Sequence, residues 1–134
     1  MKVLILMAAL LVVGCGGGLD NNGIHYLKQS QSFQQNLTSY QQKLKDIGGL
    51  PPDKRAAAAN ELLAQVQAEH VKLGQLEPTP KVMPVHQELE ALYTTMEAFI
   101  KSSGDRNDPR VSKLTKEWAD HLDKLNQELQ HLAP

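Results

Sequence analysis

The sequence predicts an all-α domain, four helices in an up-down-up-down bundle. Three observations carry this reading. Four segments repeat apolar residues every three or four positions, the period of one helix face. A glycine or proline stop separates each segment from the next. No stretch alternates apolar and polar residues as a half-buried strand does, and aromatic residues are only 4% of the chain. At 134 residues the chain holds one domain. Long antiparallel hairpins that dimerise are the alternative packing of the same four segments.

The first segment is expected over about 24–47. Tyr26, Phe33, Leu37, Tyr40, Leu44 and Ile47 form its stripe, with Ser30 filling the one gap. Gly48-Gly49 ends it, glycine being at ease in the left-handed conformation past a helix terminus. The second, about 52–75, opens at Pro51-Pro52-Asp53 and carries Ala59, Leu62, Leu63, Val66 and Leu73. Ala56 to Ala59 add strong helix propensity. Glu77-Pro78-Thr79-Pro80 breaks the chain, and Pro84 would clash inside a helix, so the third segment starts between Lys81 and Pro84 and covers about 82–103. Its face is Val85, Leu89, Leu92, Met96 and Phe99, widened by Tyr93 and Ile100. Ser102-Ser103-Gly104 stops it, and Asp108-Pro109 restarts the chain as cap and first helical residue. The fourth, about 109–132, shows Val111, Leu114, Trp118, Leu122, Leu125, Leu129 and Leu132 on one face and interleaved charges on the other.

Ahead of these segments stand Met1-Lys2, an apolar run from Val3 to Val13, and Gly14-Cys15. The run is about half the ~20 residues that a membrane-spanning helix requires. One basic residue, a short apolar core and a small residue describe an export signal instead. Val12-Val13-Gly14-Cys15 resembles the lipobox of bacterial lipoproteins: aliphatic, aliphatic or small, Gly, then Cys. The resemblance implies that residues 1–14 are a signal peptide, that Cys15 takes a diacylglyceryl thioether, and that it becomes the mature N-terminus. Cys15 is the only cysteine, so no intramolecular disulfide can form. Gly16, where aspartate would resemble an inner-membrane retention signal, leaves the outer membrane as the expected destination in an organism that has one. Residues 15–23 read as the lipidated cysteine and a flexible tether spanning roughly 15 Å. The domain proper is 24–134. Pro78 to Leu89 is loosely similar to small helical bacterial lipoproteins of unassigned function, which adds nothing about activity.

Of the 14 basic residues Lys2 lies in the leader, leaving 13 against 15 acidic and a mature net charge of −2. That balance excludes electrostatic binding of nucleic acid or anionic headgroups, and the membrane is reached through lipid. There is no nucleophile elbow, His-Glu-x-x-His, phosphate loop or haem-attachment motif, so a non-enzymatic role is expected. Glu128-Leu129-Gln130-His131 is a single Glu-x-x-His, where a di-iron bundle needs two.

Two features remain. In an up-down-up-down bundle His25, His70, His86 and His131 fall near the tether end, one per helix, in a layer roughly 10 Å deep. Such imidazoles, with Met83 as a soft neighbour, could ligate Zn, Cu or haem; otherwise no cofactor is expected. The stretch Gln29 to Gln42 contains no charge, which marks Gln31, Gln34, Gln35, Gln41 and Gln42 as a candidate partner face for self-association or another envelope protein.

Overall fold

A computed structural model describes residues 19–102 and 108–132. They form α1 (Asn21–Gly48), α2 (Pro52–Gly74), α3 (Met83–Lys101) and α4 (Pro109–Leu132), a helical bundle.

Asp20 starts α1 earlier than the periodicity indicates. Its backbone is extended and its carboxylate accepts the Gly23 N–H at 2.9 Å, satisfying a donor that a helix start leaves free. Asn21, Asn22 and Gly23, read from the sequence as tether, are therefore the first turn, and Gly23 is buried. At the other end Gly49 is right-handed, φ −85°, and does not use its left-handed freedom. A tight turn closes there instead, with Leu50 N–H donating to the Ile47 carbonyl at 3.0 Å. Pro51 follows and disfavours helical backbone at Leu50. Pro84 takes the second position of α3, where a helix has no bond for its amide to lose.

Side-chain pairings give the directions. Asn36 meets Glu69 and Lys43 meets Gln65, so α1 and α2 run antiparallel. Tyr26 meets His86 and Phe33 meets Tyr93, so α1 and α3 run parallel. Glu88 meets His121 and Phe99 meets Trp118, so α3 and α4 are antiparallel. The cross-section is skewed. α3 packs closely against all three other helices, whereas no Cα of α4 comes within 8 Å of one in α1 or α2. The core is a single cluster, and every residue of the expected α1 stripe is buried in it. Ser30 is buried with the stripe because its hydroxyl donates to the Leu27 carbonyl at 2.8 Å. α4 buries Trp118, Leu122, Leu125 and Leu129, while Val111, Leu114 and Leu132 lie half-buried against the core.

Candidate functional site

A connected polar cluster lies where α1, α2 and α3 meet. His70 occupies a position in the α2 stripe, four residues after the fully buried Val66, yet it stays partly open to solvent. Its Nε2 lies 2.5 Å from Glu90 Oε2 and its Nδ1 lies 2.9 Å from Glu97 Oε2. Glu90 and Glu97 are seven residues apart, two turns of α3, so one face of that helix grips the imidazole from both sides. Both contacts are hydrogen bonds when both ring nitrogens carry protons, because a carboxylate only accepts. The other oxygen of Glu90 reaches back one turn to His86 Nε2, at 3.4 Å. His86 Nδ1 stands 2.9 Å from the Tyr26 hydroxyl, and the two rings meet edge to face. The chain Tyr26–His86–Glu90–His70–Glu97 thus stitches three helices together.

Aromatic groups floor this cluster. The Tyr93 ring lies 5.7 Å from that of His70, and its hydroxyl donates to the Phe33 carbonyl at 2.9 Å. Burial, and then the Glu90 charge, push the Tyr26 hydroxyl well above the ordinary tyrosine range. Burial pushes Tyr93 up further, with Tyr40 and Glu69 adding to it. Both phenols are held as neutral hydrogen-bonding groups.

The four histidines grouped from topology stand in different surroundings. His70 and His86 share Glu90, whereas His25 and His131 are exposed. Helical phase explains this. His25 precedes the buried Tyr26 by one residue and His131 follows the buried Leu129 by two, so each is rotated off the inward face. Among the described residues no group of three or more His, Cys, Asp or Glu side chains is arranged to hold a metal ion. Met83, the expected soft neighbour, is exposed. His121, left out of the sequence grouping, pairs through Nδ1 with Glu88 Oε2 at 2.7 Å. The glutamates were missed because apolar periodicity weighs histidines without their carboxylate partners. The usable signal was the Glu90 and Glu97 spacing, about one and about three turns beyond His86.

The amide-rich face is narrower than its composition indicates. Gln34 is buried and its amide donates to Ser30 Oγ at 3.4 Å, so it is not a surface residue. Gln31 and Gln41 are half-buried, which leaves Gln35 and Gln42 exposed. Cys15 lies outside the described residues. A cleft of about 310 Å³ runs between the far ends of α1 and α2, walled by Ile47, Ala58 and Leu62 with Lys43 and Glu61 at its rim.

No protein-family model, curated protein or solved structure matches this chain. The site therefore has to be read from its own chemistry. Its geometry is that of a brace. His70→Ala leaves Glu90 and Glu97 without their shared donor and is expected to lower stability by about 1–3 kcal/mol. His25→Ala and His131→Ala, at exposed positions, should stay within about 0.5 kcal/mol of wild type. Urea unfolding of the three variants checks this, and equal effects would overturn the brace.

Proposed function

We propose that the chain is a lipid-anchored, non-enzymatic helical protein that binds or scaffolds another component of the cell envelope. The observation that carries this is Val12-Val13-Gly14-Cys15 at the end of an eleven-residue apolar run, with the only cysteine of the chain in the modified position. Two acyl chains or more hold a protein on a bilayer stably. No described helix is long and apolar enough to cross a membrane, so anchoring falls to the lipid. The start of α1 at Asn21 favours a domain held close to that anchor. The five steps from Cys15 to Asp20 reach at most roughly 18 Å, and they bring the Tyr26–His86 end of the bundle toward the membrane. The destination is the outer membrane where the organism has one. Gln35 and Gln42 are the exposed part of the partner face, on the helix nearest the tether.

Growth of a bacterial host with an alkyne palmitate analogue tests the anchor. The full-length protein should take up label in the membrane fraction and lose its first fourteen residues, and Cys15→Ser should abolish both. Equal labelling of the two proteins, or an intact Met1 on the wild type, would overturn the lipoprotein reading. Cross-linking of the tagged, membrane-bound protein then tests the partner. A discrete heavier species is expected, and exclusively monomeric protein would overturn the scaffold reading.

A further inference from the structure

The two ends of the bundle differ in charge. Tyr26 and His86 stand opposite each other, so Asn21 and Met83, five and three residues before them, begin their helices within about 8 Å of that level. α4 runs antiparallel to α3 and carries its last turn to the same end. α2 stops short: Gly74 lies five residues past Glu69, the partner of Asn36, roughly 15 Å from the level of Asn21. Among the described residues, the five of α1, α3 and α4 nearest this end expose the amides of Asn21, Asn22, Gln87 and Gln130, the imidazoles of His25 and His131, and Met83. None of these is Asp, Glu, Lys or Arg. Lys45, Asp46, Asp53, Lys54, Lys101 and Arg110 stand out from the matching stretches at the opposite end. The connection between α2 and α3 adds Glu77 and Lys81, opposite in sign, and the Asp20 carboxylate is turned onto the Gly23 N–H.

We propose that this charge-depleted end is a membrane-contact surface, on which the bundle stands with Met83 and the tip of α4 among the lipid headgroups. The inference rests on the lipid anchor at Cys15 proposed above and names what the anchored domain touches. Leu19 packs against the core, and its Cδ2 lies 3.2 Å from where a side chain at Gly23 would begin, so it is folded onto the first turn of α1. Gly16, Gly17 and Gly18 are then all that separates the fold from the lipidated residue, and the four steps from Cys15 to Leu19 reach at most roughly 14 Å. The headgroups form a layer roughly 5–7 Å deep on each side of the acyl core, so crossing it uses about half of that reach. A domain held this close meets the bilayer with the surface that surrounds its tether.

The chemistry of this end suits that layer. A charged side chain loses hydration there, whereas amide and imidazole N–H groups donate to phosphate and ester oxygens and keep their bonds. Met83 and Val71 are the exposed large hydrophobics of the described surface. Val71 stands at mid-height beside His70, so Met83 is the one that marks the tether end. Its unbranched thioether gains by leaving water for the base of the headgroups, and its free rotation lets it fit mobile chains. Contact of this kind needs no net positive charge, in keeping with a mature chain that carries two more acidic than basic residues.

The lipidated full-length protein in phosphatidylcholine vesicles tests this, because Cys15 is blocked by its lipid and a cysteine introduced elsewhere can carry a solvent-sensitive dye. Met83→Cys and His131→Cys report the proposed contact and Lys101→Cys the opposite end, all three at exposed positions. Emission from the first two should shift to the blue on vesicles. Lipids spin-labelled at the headgroup should quench it about threefold or more strongly than they quench the dye at the opposite end. With the dye at His131→Cys, adding Met83→Glu should weaken that quenching by about twofold or more. Equal quenching at both ends, or none at the tether end while the protein floats with the vesicles, would overturn the contact surface and leave the anchor standing. Protein that does not float with the vesicles would remove the anchor, and the surface with it.

Discussion

Leu92→Ala is expected to destabilise the bundle by about 2–5 kcal/mol, the range for truncating a fully buried leucine. Leu92 is wholly inaccessible to solvent, and Leu89 and Met96 on the same face of α3 are buried with it. Truncation removes three carbons' worth of apolar contact and leaves a void whose collapse the surroundings resist. They resist because α3 is the helix that packs against each of the other three, so it cannot shift toward one without opening a gap against another. For a domain of this size the loss corresponds to a fall in Tm of roughly 10 °C or more. Val71→Ala on α2, at a side chain 63% exposed, removes two carbons from water and should change stability by less than about 0.5 kcal/mol. Urea unfolding followed by far-ultraviolet dichroism measures both. A Leu92→Ala penalty below that of Val71→Ala would refute the placement of α3 at the centre.

Alkaline pH should unfold the protein from a threshold near pH 10. Tyr26, Tyr93 and Tyr40 are all pushed above their ordinary value, first by burial. Below pH 10 each phenol is protonated whether the chain is folded or not, and contributes no pH dependence. Above it the unfolded phenols ionise while the folded ones keep their protons, so the folded state binds more protons and stability falls as pH rises. Each tyrosine still protonated in the fold adds about 1.4 kcal/mol of loss per pH unit. The stability of the wild type between pH 9 and 11.5 should therefore bend downward steeply. Tyr26→Phe and Tyr93→Phe should each flatten the bend, although each also loses one hydrogen bond at neutral pH. A stability that stays level across this range would show the phenols to be solvated.

The helices themselves were legible in the sequence because burial of one face imposes a period on the residues that face it. Tyr26 through Ile47, Val85 through Ile100 and Trp118 through Leu129 repeat every three or four positions and are buried as that period requires. Helix ends were less legible. At α1 the start depends on one carboxylate, and Asp20 within a run of small polar residues reads as linker until its bond to Gly23 is seen. Composition also misjudged Gln34, since an amide counts as surface in a sequence, yet this one is buried beside Ser30.

What the sequence by itself determined is the fold class, the four helical segments, the apolar face of each, and the candidate anchor at Cys15. Those depend on local period, local stop signals and a contiguous motif. Only the tertiary structure decided which charged groups meet. Glu90 and Glu97 of α3 reach His70 on α2, and Tyr26 of α1 reaches His86 on α3, and their meeting depends on the rotation of each helix about its axis and on how deeply neighbours nest. The skew that places α3 at the centre and leaves α4 on one seam has the same origin. It is set by side-chain volumes summed across three helices at once, a quantity no single stretch of sequence contains.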